Sequence, residues 1–231
     1  MTGARRLAAG LALLLASRAA GAQVGHLPER SPYRDAPFRQ GVSVFSGWWS
    51  AGRNPAGVAP NSAPLIGARY DWSVGEAGSL YVRQQVVFAS RTPVDPFRAP
   101  SQRSLGSYSW PFTAFDAGFT LNMTGQKSRK GLIPVVSLGV GFVSDLILAT
   151  DVGGYSFGTS LAVTPTVGMH YVVNSKYRVR VEVGNFMHRF RHPDTYYSTT
   201  YGDAILTRNG DRNGWRHNIT TTLGLTLITF R

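Results

Sequence analysis

Period-two alternation over eight long segments, connections that alternate between long and short, and an export leader together predict an all-β chain. The fold they point to is an eight-stranded antiparallel up-and-down transmembrane β-barrel. The final stretch, Trp215–Phe230, displays the alternation most fully. Ile219, Thr221, Leu223, Leu225 and Leu227 form one file, and Asn218, Thr220, Thr222, Gly224 and Thr226 form the other. Successive side chains of a strand point to opposite faces, so this segment is apolar on one side and small and polar on the other. A soluble sheet over a core can use that pattern. So can a membrane barrel, with lipid on the apolar file and the lumen on the polar one.

The chain begins MTGARRLAAGLALLLASRAAGAQ. Arg5 and Arg6 give a positive start, Leu7–Ala16 is a short apolar run, and Ala20-Gly21-Ala22 is a small-residue cleavage site. This is the pattern of a secretory signal peptide. About ten apolar residues are too few to cross roughly 30 Å of hydrocarbon as a helix. The expected organisation is a signal peptide over 1–22, an N-terminal periplasmic tail over 23–37 and a barrel over 38–231. No later run of apolar residues is long enough for a helical span. The chain has no cysteine, which excludes disulfide frameworks, thiolate nucleophiles and cysteine-rich zinc sites. The leader holds three arginines and no acid, so the net charge of +12 falls to +9 once it is removed. A basic exported chain suits anionic lipid better than nucleic acid.

Strands are expected at Gln40–Ser50, Pro64–Val74, Ser79–Arg91, Tyr108–Met123, Leu132–Val143, Thr159–Val172, Tyr177–Phe190 and Trp215–Phe230. Between them lie Gly-, Pro- and Asn-rich connections. Ala51–Ala63, Thr92–Ser107, Ser144–Gly158 and Arg191–Gly214 are long. Gly75–Gly78, Thr124–Gly131 and Val173–Lys176 are short. Strands of ten or more residues exceed the five or six usual in soluble sheets and match what a tilted strand needs to cross a bilayer. Short turns on one rim and long loops on the other are the habit of outer-membrane barrels.

Trp48, Trp49, Tyr70, Trp72, Trp110, Tyr171, Tyr177 and Trp215 fall near strand ends. There, amphipathic rings would form a girdle at each membrane–water interface. The polar files are rich in Gly, Thr, Ser and Asn, with a few charges. Eight strands leave a lumen just wide enough for side chains to fill. Arg69, Arg83, Arg178 and Arg180 are therefore expected to be matched inside it by Asp71, Asp116 and Glu182, since buried charges persist only when paired. Pro134 and Pro165 interrupt predicted strands. Pro134 is expected near a strand start and Pro165 at a bulge.

From about Phe38 onward the chain resembles the small eight-stranded outer-membrane barrels of the OmpA/OmpX-like, porin-type class. The resemblance rests on the leader, the strand count, the loop asymmetry and the final Leu-Thr-Leu-Ile-Thr-Phe. It implies an outer-membrane protein of a Gram-negative cell envelope, a monomer among lipid and lipopolysaccharide, with no cofactor. It also implies a C-terminal signal for the barrel assembly machinery, carried here by Gly224 and Phe230. Phe230 is penultimate and falls on the file of Thr226, a departure from the usual terminal aromatic.

Some barrels of this size resemble enzymes that edit lipid A, and acyl transfer needs a nucleophile, a base and an orienting acid. None of the five histidines is followed two residues later by serine. His188, His192 and His217, near Asp194, Asp203 and Asp211, are the remaining candidates for catalysis. His188 and His192 are spaced for a helix and not for a strand-borne metal site. Arg53, Arg98, Arg103, Arg208, Arg212 and Arg216 would present basic loops to phosphates outside. Three readings follow. The first is a non-enzymatic outer-membrane barrel, plugged by side chains, with a structural or adhesive role. The second is a lipid A-modifying acyl hydrolase or transferase. The third is a soluble periplasmic barrel for an apolar ligand.

Overall fold

Eight long strands follow one another: β1 (Gln40–Ser50), β2 (Ala63–Val74), β3 (Leu80–Arg91), β4 (Trp110–Asn122), β5 (Leu132–Asp145), β6 (Thr159–Val172), β7 (Tyr177–Arg191) and β8 (Asn213–Phe230). Each pairs antiparallel with its neighbour in sequence, and β8 pairs with β1 to close the ring. The fold is an all-β, eight-stranded, antiparallel up-and-down barrel. The structure is a computed structural model. It describes residues 31–52, 54, 56–58, 60–75, 78–105, 110–145, 152–197, 205–206 and 213–230. The expected signal peptide over 1–22 lies outside the described residues, as do Arg53, Asp203, Arg208, Asp211 and Arg212. The barrel lies within one compact unit, Arg34–Arg231. Two three-residue strands, Tyr33–Asp35 and Lys127–Arg129, are additional to the eight.

Strand limits follow the alternation closely. β1 and β6 run as expected, β5 continues to Asp145, β7 reaches Arg191 and β8 begins at Asn213. The short connections are set by local chemistry. Asn174 Oδ1 accepts hydrogen bonds from the amides of Lys176 and Tyr177, at 2.8 and 2.9 Å, and so folds the β6–β7 turn. Gly75 and Gly78 take positive φ, +74° and +54°, in the β2–β3 turn, where a Cβ would be strained.

Pro134 sits third in β5, near its start. The bulge expected at Pro165 is absent. The β5–β6 ladder passes through Leu138 and Pro165 without a slip. On the other side, pairing stops after Val163–Met187 and resumes in the same register at Thr166–Gly184. Proline has no N–H to give, and β6 drops bonds at that point without inserting a residue.

The interior has two zones. Toward the short turns it is polar. Toward the long loops it is apolar, a zone that the expectation of a wholly polar lumen missed. Leu65, Val87, Ala89, Phe112, Ala114, Val143, Ala162 and Phe186 point inward there, under Val58, Val94, Tyr155, Phe157, Tyr196 and Leu206 from the loops. Trp49 belongs to this zone. It is fully buried against Phe112 and Phe186, ring centroids 5.3 and 5.0 Å away, and is not on an outer girdle. The loops lock to one another across the mouth. The Val152 amide donates to the Val94 carbonyl, the Tyr196 hydroxyl to the Val152 carbonyl, and the Leu206 amide to the Tyr196 carbonyl.

Candidate functional site

Alternation carries one file of each strand inside, and seven ionisable side chains of the polar zone meet there. Arg69 Nε donates to both oxygens of Asp71, at 2.7 and 2.9 Å. Its Nη1 reaches Glu182 at 3.2 Å, and its Nη2 donates to Thr120 Oγ1 at 2.8 Å. Arg180 donates to Ser43 Oγ at 3.0 Å and makes a short ion pair with Glu182. His170 Nε2 lies 3.0 Å from the same carboxylate. A second group joins Arg83 to Asp116 at 3.0 Å, with further bonds from Arg83 to the Thr164 carbonyl and from Gln85 to Asp116. Arg83 and Asp116 are fully buried, so each relies on the other and on these neutral partners for the hydration it has lost. Among the described residues, the cavities that touch the polar zone are small, about 20 and 10 Å³.

Arg178 departs from the expected pairing with a carboxylate. Its Nη2 donates to the Ala36 carbonyl at 2.7 Å, and its guanidinium lies 4.6 Å from the Phe38 ring centroid. Phe38 also packs on Tyr81, 5.1 Å between centroids. The last residues of the expected tail are therefore not a free tail. Ala36–Phe38 turn into the short-turn mouth and cover it. Paired with no carboxylate among the described residues, Arg178 leans on main-chain oxygens and an aromatic face.

The histidines separate. His217 is exposed on the outer wall, within 3.0 Å of Asn185. His188 and His192 are buried, which corrects their expected place at a solvated rim. His188 Nδ1 is 3.1 Å from Asn218 Nδ2, and its ring meets Phe157 edge-on; neither partner is a nucleophile. His192 Nε2 lies 3.3 Å from Asn54 Oδ1. Among the described residues no three His, Asp or Glu side chains are placed to hold a metal ion. Of the loop arginines, Arg98 pairs with Asp95 at 3.0 Å, and Arg103 Nε donates to the Arg98 carbonyl. Arg216 turns inward over the Phe190 ring.

The outer wall is the inverse of the interior. Val44, Ile66, Leu138, Leu161, Val167 and Leu223 are each more than half exposed. Tyr70, Trp72, Tyr171 and Tyr177 lie outward near the short turns, and Trp48 and Trp215 outward near the long loops. The side chains of Trp110 and Phe230 lie outside the described residues. Gly224 faces inward, where an added Cβ would press on Phe45 and Arg180.

The inward apolar residues near the loops carried a signal in the sequence. Val86-Val87-Phe88-Ala89 is apolar on both parities, which is what a strand dry on both faces shows. The Arg91–Asp145 ion pair, 2.5 Å long and buried between β3 and β5, had none, because the two residues do not lie on adjacent strands.

These features define a class: closed eight-stranded antiparallel barrels with an ion-paired interior and an apolar outer wall. No protein-family model matches the sequence, and no curated sequence matches it significantly. Solved structures do match. The chain is similar to Neisserial surface protein A (NspA), at 12% identity and a TM-score of 0.42, over 86% of this chain and 97% of that one. It is also similar to Ail, the attachment invasion locus protein of Yersinia pestis, at 8% identity and a TM-score of 0.40, over 82% of this chain and 97% of that one. A second structure of Ail, in complex with the heparin analogue sucrose octasulfate, matches at 10% identity and a TM-score of 0.40, over 82% and 98%. At such identities the likeness is one of fold alone.

Proposed function

We propose that this chain is an integral outer-membrane barrel, exported by its leader and held as a monomer among lipid and lipopolysaccharide. In this reading its lumen is plugged and its loops do the structural or adhesive work. One observation carries the reading. Ile66 is 63% exposed and Leu223 58%, while Arg69, Arg83 and Arg180 are at most 2% exposed. Water would reverse that distribution; acyl chains select it. So extensive an apolar wall also argues against the soluble periplasmic barrel. Trp48, Tyr70, Trp72, Tyr171, Tyr177 and Trp215 then serve as the girdles, and Gly224 with Phe230 as the mark read by the assembly machinery.

The plug is supported by the ion-paired zone, the apolar zone with its interlocked loops, and the cover made by Ala36–Phe38. Purified protein refolded into vesicles is expected to run at a different apparent mass on a denaturing gel before and after boiling. In planar bilayers it is expected to give no large unitary current steps. Recovery in the soluble periplasm would end the membrane reading, and large steady steps would end the plug.

A further inference from the structure

Toward the long loops the barrel wall parts between β6 and β7. Going toward the long loops, β6 and β7 last pair at Ala162–His188. Beyond that point β6 continues on β5 alone, through Leu161–Phe142 to Thr159–Ser144. β7 continues on β8 alone, through Arg189–Trp215 to Arg191–Asn213. Below, the missing bonds at Thr164 and Pro165 leave only two pairs, Ala162–His188 and Val163–Met187, between the parting and the gap. The split opens into a cleft of about 590 Å³, within the usual size of a small-molecule site.

The cleft is amphipathic in a definite direction. Its lip is cationic: Arg189 and Arg191 both face outward, exposed, two residues apart on one side of β7. The ion pairs among the described residues include neither of them. Its floor is aromatic: Tyr155, Phe157 and Phe190 line it and belong to the buried apolar zone. One carboxylate, Asp194, lies at the loop end. On the outer wall, Leu161 and Trp215 flank the opening, 66% and 59% exposed. Two arginines on one face of a strand, their Cα atoms about 7 Å apart, suit a phosphate, which arginine binds bidentately.

The geometry points to a lateral binding site at the β6–β7 parting for a phosphorylated lipid of the outer leaflet, its phosphate on Arg189 and Arg191 and its apolar part against Phe157 and Phe190. This rests on the membrane reading and gives that reading a specific lipid contact. It places the contact on the wall of β7 and not on the basic loops.

Native mass spectrometry of the full chain, released from detergent micelles containing diphosphoryl lipid A, reads the site directly. One lipid is expected to stay bound, and Arg189→Gln with Arg191→Gln is expected to weaken binding at least tenfold. Phe157→Ala, which removes floor and leaves the charges, is expected to weaken it as well. Dephosphorylated lipid A should bind no better than the double variant. Millimolar inorganic phosphate should not displace the lipid. Displacement by phosphate alone would overturn the lipid and leave an anion site. An equal loss from Arg98→Gln with Arg103→Gln would overturn the site in favour of general charge attraction. Heat-modifiable migration of each variant separates the two readings: a folded barrel that binds no lipid refutes only the cleft, and an unfolded one is replaced by the single variants.

Discussion

Replacing Leu223 by arginine puts a charge on the outer wall at a point where the two possible surroundings differ most. Leu223 stands midway in the outward file from Ile219 to Leu227, opposite Ser46 on β1 and Val181 on β7, neither of them charged. Eight residues of strand span about 27 Å at about 3.4 Å each. A tilt of about 40° reduces this to about 21 Å along the membrane normal, so Leu223 lies about 10 Å from either end of the file and near the middle of an apolar band roughly 25 Å tall. An arginine at that depth costs about 2–4 kcal/mol. On a water-wetted sheet the same exchange stays within about 0.5 kcal/mol. Urea titration of protein folded into phosphatidylcholine vesicles, scored by heat-modifiable migration, measures the difference. With a slope near 2 kcal/mol per molar, the midpoint is expected to fall by about 1–2 M. Leu227→Arg, close to the short-turn rim, should lose only about 0–1 kcal/mol. Equal and negligible losses at both positions would refute contact with acyl chains.

The interior gives three further expectations. Glu182→Gln removes the carboxylate shared by Arg69, Arg180 and His170, and should cost about 3–5 kcal/mol by the same titration. Removing charge from both sides, with Arg180→Met and Glu182→Leu together, should recover more than half of that loss. Gly139→Ala would set a methyl 2.5 Å from Asp116 Oδ1 and 2.7 Å from the Arg83 guanidinium, so a loss of about 1–3 kcal/mol is expected from overpacking. Phe38→Ala strips the ring from Tyr81 and Arg178 and should cost about 3 kcal/mol. It should also hasten tryptic cleavage after Arg39, read by mass spectrometry of the digest; unchanged cleavage would show that Phe38 does not hold the segment.

Strand count, order, facing and most ends were legible because each strand meets two media, and a two-residue period records that contrast directly. Arg69, Arg83 and Glu182 could be assigned to one face from parity alone. Trp49 could not. Its residue type suits a membrane interface, but its parity matches Val87 and Phe112 across the mouth, and only the apolar zone explains why it turns in. His188 and His192 looked like rim residues because loops were assumed to stand in water. The loops pack into the barrel, and that packing joins segments far apart in the sequence, such as Val94, Tyr155 and Tyr196. Pro165 misled in a different way: loss of a donor is compatible with a bulge or with an unbonded gap, and nothing local decides between them. The pairing of Arg178 with Ala36 was hidden because its acceptor is main chain, which has no residue type.

The contact between Arg178 and the Ala36 carbonyl ties the segment before β1 to β7, the seventh strand in the chain. The same segment rests on Tyr81 of β3 and bonds Gln126, so its seat is complete only once strands from both halves of the chain have come together.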